Sequence, residues 1–234
     1  TGTGAFGRAM LTTCWLSTGI WTRSGRCFAL AVGTSLSPFL RSRSTSISDA
    51  TGARLVTNGQ VFFRNRLIVP LRDERGQVVA FVGRTVADDP RKYVNSAETA
   101  AYSKGRVLFA LDLAKETIGN TGYAVLVEGQ FDVIVAHQYG VSNAIATSGT
   151  ALTEDQVRLL KRFTDEVVLA FDGDSAGKQA AFRAIEQHAA AGIHTRVMSL
   201  GATQDPYEFP RVGGDWGKTG RAAPQQGECW TLGS

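Results

Sequence analysis

The apolar positions of this chain fall into two regimes. From residue 121 onward, short apolar runs alternate with helical patterns. Tyr123 to Val127, Asn143 to Ala146, Glu166 to Phe171 and Thr195 to Leu200 read as strands. Phe131 to Gln138, Glu154 to Arg162 and Ser175 to Ala191 between them read as helices, the second opened by a capping box of Thr153 and Gln156. Strands that alternate with helices predict parallel βαβ units with helices on both faces of one sheet. Before residue 121 the pattern is shorter in period. Val61 to Phe63 and Leu67 to Val69 read as strand, Arg72 to Gln77 as a turn, and Val78 to Val82 as an antiparallel return. Asp88 to Lys104 carries few apolar residues and reads as a functional loop, and Val107 to Ile118 has helical spacing.

Composition adds little for this body of the chain and more for its ends. Of the 234 residues 43% are hydrophobic and 20% charged, enough to bury a core without staples. The net charge is +4, but residues 1 to 48 hold five arginines (Arg8, Arg23, Arg26, Arg41, Arg43) and no other charged residue, so the remainder carries −1. A case for an anionic partner must therefore rest on local placement rather than on total charge. The arginine- and serine-rich start has the composition of a transit peptide, yet its apolar run from Ala9 to Ile20 is interrupted by Thr12, Thr13, Ser17 and Thr18, which argues against a targeting segment. Residues 211 to 234 hold six glycines with little periodicity and are expected to be mostly disordered. Cys14, Cys27 and Cys229 show no metal-ligand spacing, and an odd count suits a reducing cytoplasm better than a disulfide framework. No run is long enough to span a membrane.

The candidate chemistry lies where the strands end. Phe171-Asp172-Gly173-Asp174 closes an apolar strand and opens a helix, and Glu128 follows Val127 directly. Parallel strands share their polarity, so these acids belong at one carboxyl edge, where open α/β sheets bind ligands. Asp132 lies one helical turn beyond Glu128, and Asp205 follows the last strand to the same edge. Carboxylates without His or Cys suit Mg²⁺ or Mn²⁺. The plainer alternative is that each acid caps or begins a local element: Asp174 the helix at Ser175, Glu128 and Asp132 the helix after them, Asp205 a turn before Pro206. His137, His188 and His194 read as ordinary helix or strand-end residues.

These residues resemble a TOPRIM domain, which places a glutamate after one strand and Asp-x-Asp after a later one. Glu128-Gly129 and Asp172 to Gly177 carry that likeness. Arg64-Asn65-Arg66, Gly83-Arg84, Lys92 to Ser96 with Glu98-Thr99, Lys104-Gly105, Gly149 to Thr153 and Asp205-Pro206 extend it to the RNA polymerase core of DnaG-type bacterial primases over about residues 55 to 209. The fold implied is α/β: a TOPRIM-like parallel sheet flanked by helices, preceded by a small mixed α+β subdomain. The domain layout expected from it is an atypical segment over 1–54, the first part of the core over 55–120, the TOPRIM domain over 121–209 and a tail over 210–234.

The resemblance implies a nucleotidyl transferase that makes short RNA primers from NTPs on a single-stranded DNA template. Two or more Mg²⁺ or Mn²⁺ ions would activate the attacking 3′-hydroxyl and neutralise the departing pyrophosphate. It assigns Glu128, Asp172 and Asp174 as catalytic metal ligands, Asp132 and Asp205 as supporting ones, and Arg66, Arg84, Lys92, Asn95 and Lys104 as contacts to NTP or template. It implies no structural zinc in this chain, a replicative helicase as partner only through a further domain, and a cytoplasmic protein that meets no membrane. Residues 1 to 48 lie outside the likeness, and Tyr207-Glu208 stand where the family often carries a second acid two residues after the Asp-Pro aspartate. A TOPRIM nuclease and a non-catalytic binder of single-stranded nucleic acid are the alternatives.

Overall fold

The computed structural model of the chain describes residues 19–21, 27–30, 56–57, 60–63, 65–149, 151–172 and 174–198. Asp205, the expected tail over 210–234 and most of 1–54 lie outside the described residues. The described residues form two compact units: those up to 71 together with 78–101, and 72–77 together with those from 102 onward. Leu108, Leu111, Ala114 and Ile118 sit in one apolar cluster with Ala124, Leu126 and Ile145, all within the second unit.

The first unit is a sheet of five strands in the order β1 (Gly19–Trp21), β2 (Cys27–Leu30), β5 (Arg66–Arg72), β6 (Val78–Thr85), β7 (Tyr93–Asn95), and the short pair β3 (Val56–Thr57) and β4 (Gln60–Val61) stands apart. The chain turns at Phe62-Phe63 instead of continuing as strand. The β5–β6 hairpin closes where expected, and Asp73 explains why. Its carboxylate accepts from the amides of Arg75 (3.0 Å) and Gln77 (2.8 Å), and Gly76 takes φ +88°. Strand β7 lies inside the stretch expected to be loop. Only Val94 of its three residues is apolar, so its period does not show in the sequence, yet it pairs antiparallel with β6 through Val82↔Asn95, Gly83↔Val94 and Arg84↔Tyr93. Phe63 is buried against Ile68, Phe81 and Val94.

The second unit holds the parallel sheet, in the order β11 (His194–Val197), β10 (Glu166–Leu169), β8 (Tyr123–Val127), β9 (Ala144–Ala146). All three pairings are parallel, with Leu169↔Leu126, Leu169↔Val197 and Val127↔Ala146 in register. The helices are α1 (Leu111–Thr121), α2 (Gln130–Gln138), α3 (Glu154–Lys161) and α4 (Ser175–Ala190). Helices α1, α3 and α4 share a core with Ala124, Leu126, Ile145, Val167 and Leu169. Helix α2 packs on β9 and contributes nothing to that cluster, so it takes the opposite face, where Val125 and Val127 are also fully buried. Helix α1 starts four residues later than its apolar pattern suggests. Phe109 instead forms an antiparallel bridge with Ala146, covering the free edge of β9, and Ala110 then takes φ 65° ahead of the helix. Among the described residues no helix is long and apolar enough to cross a membrane.

Candidate active site

The sheet delivers Glu128 and Asp172 to one edge, with Asp174 close by. Glu128 leaves β8 one residue past Val127, and beyond β10 the ladder continues as Ala170 donates to the Leu126 carbonyl at 2.9 Å. Two residues further, the amide of Asp172 donates to Glu128 Oε1 at 3.2 Å, so these two sites meet directly. Burial pushes the Glu128 carboxyl above its ordinary pKa; the Asp172 amide works against that shift, and the charges of Asp172 and Asp174 add to it. Glu128 therefore feels the charges of both aspartates. Met198 donates to Leu169 at 2.7 Å beyond β11, which carries the chain out of the sheet at this same edge ahead of Asp205.

Two of the acids also do the plainer work. Asp174 is the N-cap of α4, with Oδ1 accepting from Gly177 at 2.7 Å. Asp132 Oδ2 accepts from the Gly129 amide at 2.9 Å at the head of α2. Among the described residues no group of three or more His, Cys, Asp or Glu is gathered closely enough to hold an ion. The donor set nevertheless fits a hard divalent cation. It offers only carboxylate oxygens on adjacent strand ends; Glu128 is raised chiefly by burial and further by the charges of Asp172 and Asp174, and a bound cation would oppose both effects.

Gly177 is what lets the Asp172 turn lie against the helix. A Cβ there would sit 2.2 Å from the Asp172 carbonyl oxygen and 3.1 Å from its nitrogen. The turn after β9 leans on the site as well, since Gly149 donates to the Glu128 carbonyl at 3.3 Å. Beside it Ser148 is buried at φ 68° with a hydroxyl that has no partner, a strained placement typical of functional turns. In the sequence Gly149 enters only with the Gly149 to Thr153 likeness, and Ser148 is passed over, its sole signal being the glycine after it.

The basic candidates divide. Lys104 opens a 3₁₀ turn (Lys104–Arg106) that is held from behind by the fully buried Gln156, whose Nε2 donates to the carbonyls of Val107 (2.9 Å) and Lys104 (3.3 Å). In the first unit Lys92 is exposed, Asn95 lies half-buried in β7, and the Arg84 guanidinium bonds the Tyr93 hydroxyl and lies over its ring. Arg66 is buried, and its guanidinium bonds Asp89 and the carbonyls of Arg91, Lys92 and Gly83.

Two family models match the chain: one described as the DNA primase catalytic core, N-terminal domain, over residues 4–115, and a Toprim-like one over residues 125–209. The first begins at residue 4, inside the arginine-rich segment that by sequence alone lies outside the likeness. The chain is 43% identical to the DNA primase of Clostridium acetobutylicum over 153 residues, covering 65% of this chain and 25% of that protein. It thus spans about a quarter of the length of the curated primases it matches. Among solved structures, the E. coli primase catalytic core is 31% identical with a TM-score of 0.75, covering 95% of this chain and 73% of that one. The RNA polymerase domain of Mycobacterium tuberculosis primase is 33% identical with a TM-score of 0.73, covering 92% and 74%. The chain belongs to the DnaG-type DNA primase family, and what it shares with that family is the catalytic core.

Proposed function

We propose that this chain carries the nucleotidyl-transfer centre of a primase, which copies single-stranded DNA into short RNA primers from NTPs in the cytoplasm. The observation that supports this best is the meeting of Glu128 with Asp172 across adjacent parallel strands, with burial, and after it the charges of Asp172 and Asp174, raising the Glu128 carboxyl. Glu128, Asp172 and Asp174 would hold Mg²⁺ or Mn²⁺, with Asp205 and the remaining lone pairs of Asp132 in support. Bound there, such ions supply a lowered pKa at the primer 3′-hydroxyl and charge neutralisation at the departing pyrophosphate.

The chain's own groups do the rest. The Asp172 amide holds Glu128 in one rotamer, and Gly177 with the Asp174 cap fixes the turn that carries both aspartates. Lys104, Lys92 and Arg84 supply cations for triphosphate or template backbone, contacts that position a polyanion without reading its sequence. Asn95 adds an uncharged donor.

The test is incubation with single-stranded DNA, labelled NTPs and Mn²⁺ or Mg²⁺. Metal-dependent primers from the wild type and none from Asp172→Ala are the expected result. Strand cutting would indicate a TOPRIM nuclease, and binding without chemistry would indicate a nucleic-acid module; either overturns the proposal.

A further inference from the structure

Arg66 is a cation buried to 3% side-chain exposure, and a charge in that position is tolerated only when its hydrogen-bonding capacity is met. All of its partners but one lie on a single short stretch, Asp89 to Lys92. Nη2 meets Asp89 Oδ2 at 2.5 Å, and Nη1 is shared among the carbonyls of Arg91 (2.8 Å), Lys92 (3.4 Å) and, from the strand beneath, Gly83 (3.3 Å). Asp89 completes the knot, because its other oxygen accepts from the Arg91 amide at 2.8 Å. These hydrogen bonds and the two arginines hold its carboxyl below the ordinary range. The Lys92 carbonyl also accepts from Thr85 at 3.0 Å. What this knot presents outward is Arg91, 77% exposed at its side chain with its Nε 3.7 Å from Asp89 Oδ1, and Lys92 exposed beside it, ahead of Tyr93 and its Arg84 partner.

We infer that Arg66 is a positioning residue and touches neither nucleotide nor template: with Asp89 it latches the 89–92 turn so that Arg91 and Lys92 stand ready to grip a single-stranded nucleic-acid backbone. This rests on the polyanion-binding reading above. It assigns Asp89 and Arg91 a part that the sequence reading did not give them. The physical gain is preorganisation, since two long cationic side chains on a free loop would lose more entropy on binding than two whose backbone is already tied.

The latch and a direct grip on phosphate predict opposite signs for one substitution. If Arg66 gripped phosphate, Asp89→Ala would free a cation and leave binding equal or tighter. If Arg66 is a latch, Asp89→Ala weakens binding of a labelled oligothymidylate several-fold and lowers the slope of log K against log salt by about 0.7 for each phosphate that is no longer neutralised. Combined with Lys92→Ala it then costs little more than the worse single change, because both act on the same phosphate grip. A second readout needs no nucleic acid. The carbonyls held by Arg66 belong to the two trypsin-scissile bonds after Arg91 and Lys92, so Asp89→Ala should speed cleavage there about tenfold, the effect of removing one charge-assisted hydrogen bond. Arg66→Met should do the same; if it does not fold, Asp89→Ala still decides, since that side chain is 29% exposed and can be removed without opening the core. Unchanged proteolysis overturns the latch. Faster proteolysis with unchanged or tighter binding overturns the positioning of a nucleic-acid grip, as does a wild type that binds no single strand, the last being a failure of the polyanion reading itself.

Discussion

The most quantitative consequence of the fold concerns His188, in the last turn of α4. It has no exposed surface, its Nδ1 is 2.9 Å from Thr195 Oγ1, and its Nε2 has no partner. An imidazolium there would have a charge to solvate and nothing to solvate it with, so burial drives its pKa from 6.5 to about 4. The folded state then binds fewer protons than the unfolded one between these two values. Its contribution to stability is complete above pH 6.5 and drains away as the pH falls towards 4. With those end points the wild type should lose about 2 kcal/mol between pH 8 and pH 5, and about 3 kcal/mol in all, through this one residue. Glu128 and Asp112 run the other way, because burial raises both carboxyls and their protonation favours the folded state. The clean measurement is therefore a difference. Urea melts of wild type and His188→Gln at pH 8 and pH 5 should show a midpoint drop about 1 M larger for the wild type, taking a slope of about 2 kcal/mol per molar. An identical pH response in the two proteins would refute the reasoning.

Two further substitutions test how the site is built. Gly177→Ala places a Cβ against the Asp172 backbone, and since backbone cannot swing aside the acid turn must move; we expect a stability loss of about 1–3 kcal/mol in a urea melt and a fall of roughly a hundredfold in metal-dependent synthesis. Gln156→Ala unties the Lys104 turn from α3 and leaves the Val107 carbonyl and the Thr153 amide without their side-chain partner, costing about 2–4 kcal/mol by the same melt, with KM for NTP rising more than kcat falls.

The parallel sheet was legible because its strands are buried on both faces and read as unbroken apolar runs, Ala124 to Val127 and Val167 to Ala170 above all. The meeting of Glu128 with Asp172 followed from strand polarity alone, with no need for distances. What did not show were elements whose partners lie far off in sequence. Strand β7 is polar because it lies at the end of the first sheet's strand order, and its existence depends on β6. The apolar residues 107–110 look like a helix start but serve the β9 edge and the core, a use that exists only once β9 is in place. Asp132 and Asp174 show a different limit. An acid in the first turn of a helix can cap and coordinate at once, having two oxygens, so finding the cap leaves the second role open rather than removing it.

Arg66 shows most sharply what a count of charges leaves out. Sequence marks it, Arg84 and Lys92 alike as cations beside a polar stretch, yet burial separates them: one is enclosed by carbonyls and a carboxylate, while Lys92 is left in solvent. The enclosure is made possible by a neutral residue. A Cβ at Gly83 would lie 2.6 Å from the Phe63 ring and 2.9 Å from Arg66 Cδ, so the lack of a side chain on β6 is what lets the guanidinium run beneath the strand to Asp89. Gly83-Arg84 thus pairs a residue that makes room for one arginine with a second arginine that stacks on Tyr93. In the latch inferred above, one kind of cation meets the ligand and the other holds the backbone of those that do; only the second is buried, and burial is what a linear sequence conceals.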